Sequence, residues 1–221
     1  MMKNGTQKRK TRRQLLAEKE AAAKQLVDVA NSVSDPLQPL KKFHTYVTKE
    51  NETIELSCMK AKDATPECVS WVFDITERNM KTMYEQSDWG WDPVEKQTEL
   101  TETGAWYLVA TSNDKFLGYS HFRFDIDDRE EVLYCYEIQL EVDARRKGLG
   151  LFIMSALETM ASMNKMKKVV VTVFKYNLPA MQFFNSLGYK LDKTSPSPSG
   201  PQHYIIVSKA VDSGTVSNEK S

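Results

Sequence analysis

The spacing of apolar positions changes several times along this chain, and each change marks an element. Over residues 12–33, Leu15, Leu16, Ala22, Leu26 and Val29 recur at helical spacing among Lys and Glu, until Asp35-Pro36 ends the run. Residues 53–58 alternate polar and apolar, as a half-buried strand does. Pro66 opens a helix reaching about Ser87, with Val72, Ile75, Met80 and Met83 on one stripe and Tyr84, Trp89 and Trp91 around its end. Pro93 holds a favourable first-turn position for another helix. Strand patterns follow over 105–111, 116–125 and 132–140. Residues 148–163 are helical, with Leu149, Phe152, Ile153, Ala156, Leu157 and Met160 on one face. Residues 168–174 form a nearly unbroken β-branched run, the pattern of a strand covered on both faces. A short helix over 177–187 ends at Gly188, and two more strands over 189–191 and 203–208 flank the polar loop Ser195-Pro196-Ser197-Pro198-Ser199-Gly200. This order predicts one α/β domain with a mixed central sheet flanked by helices, preceded by an extra helix over 12–35. The basic arm 1–11 and the tail 209–221 have little to bury and are expected to be disordered.

Composition narrows the classes. With 221 residues, 41% of them hydrophobic, the chain suits one domain with tails better than two domains. No apolar run approaches the ~18–20 residues of a membrane span, and the charged first residues contain no apolar leader segment. Three scattered cysteines, Cys58, Cys68 and Cys135, give neither a disulfide framework nor a zinc pattern, and an intracellular home is expected. His44, His121 and His203 are equally scattered, so no metal site is expected.

The formal net charge is zero, yet charge is locally segregated. Lys8-Arg9-Lys10, with Arg12 and Arg13, reads equally as a nuclear address, a nucleic-acid contact or a solvated arm. Residues 125–141 are acidic, with Asp125, Asp127, Asp128, Glu130, Glu131, Glu137 and Glu141 against a single Arg129. Arg145-Arg146-Lys147 then turns positive, which suggests two ligands of opposite charge meeting at one place.

The chemistry concentrates at Arg145-Arg146-Lys147-Gly148-Leu149-Gly150, between a strand and a helix. Glycines there let backbone N–H groups converge on an anion, and the helix aims its positive end at the same point. A pyrophosphate is the natural guest; a basic turn that binds nothing is the alternative. The turn is not a Walker loop, because no Gly-Lys-Ser/Thr ending follows.

In context this turn resembles the R-x-x-G-x-G acetyl-CoA loop of GNAT-family acetyltransferases. Residues 180–189, Ala-Met-Gln-Phe-Phe-Asn-Ser-Leu-Gly-Tyr, resemble that family's second signature, at its usual distance. The likeness covers about residues 50–208. Within it, residues 83–91 (Met-Tyr-Glu-Gln-Ser-Asp-Trp-Gly-Trp), 120–125 (Ser-His-Phe-Arg-Phe-Asp) and 132–141 (Val-Leu-Tyr-Cys-Tyr-Glu-Ile-Gln-Leu-Glu) resemble the N-alpha-acetyltransferase D (NatD) family. That family acetylates the N-terminal serine of histones four and two-A, which begin Ser-Gly-Arg-Gly.

The resemblance implies an acetyl-CoA cosubstrate, no metal, direct attack by the amine, and a nuclear and cytoplasmic location. The partners it implies are the tails of histones four and two-A, with nucleosome or ribosome contacts open and no membrane. Backbone groups of Ile138, Gln139 and Leu140 would pair with pantetheine. Arg145, Arg146, Lys147, Gly148, Leu149, Gly150 and Leu151 would hold the pyrophosphate, and Asn177 would flank the pantetheine. Tyr84, Trp89, Asp125, Ile126, Asp127, Tyr136, Thr172, Thr194 and Tyr204 match peptide-contacting positions. By period two, Asp125 and Asp127 share a strand face and are spaced to hold a guanidinium.

An α-amine has a pKa near ~8, so a modest base suffices to neutralise it. Glu137, among other acids, is the candidate general base; the alternative is that it only binds the substrate cation. Adjacent Tyr136 reaches the same site only if a bulge intervenes, and would then bind substrate or protonate the leaving thiolate. Cys135 reads as buried packing. Tyr84 and Trp89 also read as core aromatics at a helix end, and for Trp89 the two readings are equal. The rival readings are a lysine or polyamine acetyltransferase of the same fold, a non-catalytic module holding histone tails, and a nucleic-acid binder acting through the basic arm.

Overall fold

Eight strands form one mixed sheet in the computed structural model, which describes residues 10–212. The chain runs α1 (Arg12–Ser32), β1 (Thr45–Val47), β2 (Thr53–Lys60), α2 (Pro66–Glu85), α3 (Pro93–Thr101), β3 (Trp106–Ser112), β4 (Lys115–Asp127), β5 (Glu130–Leu140), α4 (Leu149–Met163), β6 (Lys168–Phe174), α5 (Leu178–Ser186), β7 (Lys190–Leu191) and β8 (Tyr204–Ala210). The strand order is β1-β2-β3-β4-β5-β6-β8-β7. Only β5 and β6 are parallel, and α4 is the crossover that such a pair requires.

Local chemistry starts the helices where the chain turns from strand or loop. Thr11 caps α1 in a box with Gln14, and Thr65, with Pro66 behind it, caps α2. The Asp92 side chain accepts from the N–H groups of Val94 and Glu95 and so opens α3. Asn177 does the same for α5 through the Ala180 N–H.

The sheet separates two cores. On one face α1, α4 and α5 cover Trp106, Leu108, Phe122, Leu133 and Val171; on the other, α2 and α3 cover Tyr107, Val109 and Tyr119. The face expected of α4 is buried, except that Phe152 is only half-buried, and Met154 and Ala161 widen it.

Three expectations change. The buried stripe of α1 is Ala23, Val27 and Ala30, with Leu26 half-buried, whereas Leu15, Leu16, Ala22 and Val29 are exposed. Small residues let the helix lie close to the sheet. A full Val or Leu burial is worth only ~1.5–3 kcal/mol, so so narrow a face needs polar anchors. Asn31 supplies them: its Nδ2 donates to Phe124 O (2.9 Å), its Oδ1 accepts from Trp106 Nε1 (3.2 Å) and its carbonyl accepts from Lys60 Nζ (2.8 Å). The edge strand β1 is additional; three residues with no buried side chain leave no pattern to read. The chain also stays ordered past Lys209: β8 reaches Ala210, and the Val211 N–H donates to Lys167 O at 3.0 Å. The expected disorder of residues 1–9 and 213–221 lies outside the described residues.

Candidate active site

Parallel pairing between β5 and β6 covers only Val132↔Lys168 to Cys135↔Val171. Beyond it, among the described residues, no ladder bond joins residues 136–140 to β6. A cavity of about 500 Å³ fills the gap. Tyr134, Tyr136, Glu137, Ile138 and Gln139 line it from β5, and Val171, Thr172, Val173 and Phe174 from β6. Tyr84, Trp89, Trp91, Lys96 and Glu99 come from the α2–α3 side, and Ala180 and Phe184 of α5 from the other face of the sheet.

A bulge puts Tyr136 and Glu137 in this cavity together. His121 pairs with Glu137 but Phe122 pairs with Cys135, so Tyr136 is an extra residue on β5. Alternation resets there. Tyr134, Tyr136, Glu137 and Gln139 all line the cavity, while Leu133, Cys135 and Leu140 pack with the α4 core, as does Ile138, which also borders the cavity.

Glu137 is 5% exposed. Its Oε2 accepts from Gln139 Nε2 at 2.9 Å, and its Oε1 lies 3.4 Å from Lys96 Nζ. Burial pushes its carboxyl up, Lys96 and Gln139 pull it back, and the net shift is upward. Lys96 is buried too, and its ammonium also donates to Tyr84 Oη (2.7 Å) and Glu99 Oε2 (2.9 Å). Burial and the Glu137 charge raise the Tyr84 phenol well above its ordinary value. The Tyr136 phenol is pushed up to about 12, chiefly by burial, although the Arg123 guanidinium stands 4.8 Å from its ring centre. Both phenols therefore keep their protons at neutral pH. Cys135 is fully buried and its thiol is pushed up to about 12, which leaves it as packing.

The glycine turn lies at the foot of the same strand. Arg146 and Gly148 adopt left-handed backbone, with φ of 62° and 87°. A Cβ on Gly148 would stand 2.3 Å from Tyr46 Oη, and one on Gly150 would stand 3.3 Å from the Phe183 ring, so both positions require close approach. No side chain caps α4, which leaves its first N–H groups open. Arg145 is tied down, its Nε donating to Leu140 O (3.1 Å) and its Nη2 to Asn79 Oδ1 (2.9 Å). Lys147 pairs with Glu52 at 3.3 Å, while Arg146 and Leu151 are exposed.

Of the residues singled out from the sequence, Tyr84, Trp89, Tyr136, Glu137, Ile138, Gln139, Thr172 and Asn177 line the cavity. Trp89 is 50% exposed, which makes it a rim residue and not a core aromatic. Tyr204 does not line the cavity itself; it pairs with the lining residue Phe174 and packs on the Trp89 ring, 4.9 Å away. Thr172 Oγ1 shares a 2.6 Å hydrogen bond with Tyr134 Oη. Thr194 does not line the cavity; its N–H and hydroxyl both bind Asp192 Oδ1 at 2.9 Å.

Asp125, Ile126 and Asp127 also lie outside the cavity, because they pair with the hairpin end of β5, at Val132, Glu131 and Glu130. The two aspartates do not form one open fork. Asp127 lies 3.8 Å from the buried Lys168 ammonium, whereas Asp125 Oδ1 accepts from the Ile126 N–H at 2.7 Å and Asp125 borders a cleft with Glu20, Lys24 and Asp28 of α1. Lys96 and Tyr134 were not anticipated. Lys96 stands one helical turn before Leu100, and these two are the buried residues of α3.

The sequence pattern of the acetyltransferase (GNAT) family matches residues 68–189. Among solved structures, an acetyltransferase from Streptococcus agalactiae aligns with a TM-score of 0.57 at 14% identity, over 72% of this chain and 98% of its own. The ribosomal-protein-S18-alanine N-acetyltransferase from Escherichia coli aligns at 0.50 and 13%, over 75% and 99%. The PaiA N-acetyltransferase from Thermoplasma acidophilum, solved with coenzyme A, aligns at 0.52 and 12%, over 71% and 99%. At such identities these are likenesses of fold. The family pattern spans more than half of the chain, including the split of β5 from β6, the bulge and the glycine turn, and the chain belongs to the GNAT acetyltransferase family.

Proposed function

We propose that this acetyltransferase uses acetyl-CoA to acetylate free N-terminal α-amines, and that its acceptor is the serine of a Ser-Gly-Arg-Gly start, as on histones four and two-A. One observation carries the reading: Tyr136 and Glu137, adjacent in sequence, line one narrow cavity where β5 leaves β6. The cavity takes lining residues from both faces of the sheet, so donor and acceptor can approach from opposite sides.

The residues present fit a coenzyme A donor. The uncapped amides at the start of α4 suit a pyrophosphate, and the β5 edge at Ile138 and Gln139 is free to pair like an added strand. Bound there, acetyl-CoA supplies the activated thioester. Glu137, raised above an ordinary glutamate by burial, accepts the proton of the α-amine, directly or through a water. Tyr136 holds its proton at neutral pH and stands ready to donate it to the departing sulfur.

Asp125 acts on the third residue of the peptide. It lies three ladder positions beyond Phe122, roughly 10 Å along the strand, and its charge is felt at Tyr136. Two residues of extended peptide cover about 7 Å, and an arginine side chain covers the rest. Such an acceptor places the work in the cytoplasm and nucleus.

The test is incubation with acetyl-CoA and free Ser-Gly-Arg-Gly peptide, an N-terminally blocked lysine peptide and spermidine, followed by mass spectrometry to locate the added acetyl. Acetyl on the serine α-amine is expected. Acetyl only on lysine or spermidine overturns the α-amine reading. No transfer, with no rise in Tm on adding acetyl-CoA, leaves only a tail-binding module.

A further inference from the structure

The proposed transfer does not use the most deeply placed cation of the cavity. Lys96 projects from α3 with a 4% exposed side chain, and its ammonium sits 4.4 Å from the centre of the Tyr84 ring. Holding an ammonium there is costly unless it does something its neighbours need. Two of its three N–H groups go to Tyr84 and Glu99, and the third lies against Oε1 of Glu137.

The groups facing Glu137 come from four elements. From α3 there are Lys96 and Glu99, with Glu95 farther out on the same wall; from α2, Tyr84; from β4, Tyr119 and His121; and from β5 itself, Cys135 and Gln139. His121 stays neutral, because burial holds its imidazole down to about 3. Arg123 is turned to Glu102 and the Tyr136 ring. Among the described residues, Lys96 is thus the cation that meets this carboxylate. Without it, burial and the Glu99 charge would both favour a protonated Glu137 that cannot accept a proton.

We propose that Lys96 is a positioning residue for Glu137: its buried ammonium, braced by Tyr84 and Glu99, keeps that carboxylate ionised and aimed into the cavity at neutral pH. The bracing matters as much as the charge. Gln139 fixes Oε2 and Lys96 restrains Oε1, so the carboxylate has one orientation from which to meet an incoming amine.

The inference rests on the reading of Glu137 as proton acceptor, and its test has an arm that needs no acceptor. Protein labelled with ¹³C at the glutamate carboxyls is titrated by NMR, with Glu137→Gln identifying the signal. Lys96→Met should move the Glu137 midpoint upward by about one to three pH units, and Lys96→Arg should restore most of it. Lys96→Gln, which keeps a hydrogen-bonding end but no charge, should also move the midpoint upward, and it carries the test if Lys96→Met does not fold. Unmoved midpoints in folded variants overturn the proposal. In the second arm, the acidic limb of kcat/KM against pH should follow the midpoint, lowering the neutral-pH rate of Lys96→Met roughly tenfold or more. A limb that stays put while the midpoint moves also overturns it. Failure of any peptide to be acetylated, with the titration responding as expected, sinks the proposed reaction and leaves Lys96 as the group that sets the charge of Glu137.

Discussion

The Tyr46 hydroxyl donates to the Lys147 carbonyl at 2.6 Å, so the outermost strand of the sheet pins a turn 101 residues away. The Tyr46 ring also packs on Phe152 of α4 at 4.8 Å. The donor-side turn is thus held from outside as well as by its own glycines.

Gly148→Ala should disturb that turn twice. The new Cβ would collide with Tyr46 Oη, and an L-residue at φ 87° is strained by about 1–2 kcal/mol. The rise in Tm on adding coenzyme A should shrink or vanish. Adding Tyr46→Phe should relieve the collision but not the backbone strain, so the double variant should recover only part of the effect, as isothermal titration with coenzyme A would show.

Glu137→Gln should lose rate chiefly in kcat, by ~10²–10⁴-fold, because the amide keeps the shape but cannot take a proton. The sign of the pH dependence follows from the raised carboxyl: activity needs it ionised, so the rate should fall as pH drops through a value above that of an ordinary glutamate. A kcat/KM profile from about pH 5 to about pH 9 reads both arms. An identical acidic limb in wild type and variant would remove Glu137 as the base.

Asp192 and Lys168 form a buried pair at 2.6 Å, with Asp127 3.8 Å from the same ammonium. Burial alone would raise the Asp192 carboxyl, but hydrogen bonds from Lys168, Ser208 and Thr194 hold it well below the ordinary range. Its contribution to stability is therefore complete above the unfolded value of ~3.9 and lost as pH falls below it. Asp192→Asn should cost about 3 kcal/mol, or roughly 6–12 °C in Tm at neutral pH, read by thermal denaturation. The gap from wild type should narrow in acid.

Replacing arginine in the acceptor peptide should test the acidic hairpin. Ser-Gly-Ala-Gly should be acetylated with a kcat/KM at least ~10-fold below that of Ser-Gly-Arg-Gly. Asp125→Asn should narrow that difference more than Asp127→Asn, because Asp127 already faces Lys168. Equal kcat/KM for the two peptides in wild type would remove the hairpin from substrate selection.

Legibility tracked burial. Helix α4 and strand β6 could be read directly because apolar faces set their periods, and the bounds of β6 are those the β-branched run gave. The stripe of α1 was misread because its contact face is built of alanines, which weigh little in a hydrophobic pattern, while Leu15 and Val29 point to solvent. The gap between β5 and β6 has no local signature, since it depends on where pairing stops between strands joined by a helix. For Lys96, charge hid a buried position: a lysine on a short helix reads as surface until its neighbours are known. Asp125 and Asp127 were correctly placed on one strand, but strand period cannot say which of two like acids already has a counter-ion.

The extra residue at Tyr136 makes the parity of β5 part of its chemistry. Removing one residue from the strand between Val132 and Tyr136 would restore even alternation: Tyr136 would take the place opposite Phe122 and turn into the oily layer beneath α4, while Glu137 would stay opposite His121 and keep facing the cavity. One codon lost there would leave the sheet hydrogen-bonded and the fold recognisable while parting the adjacent tyrosine and glutamate, whereas most exchanges of side chain along the same strand would keep the phase intact.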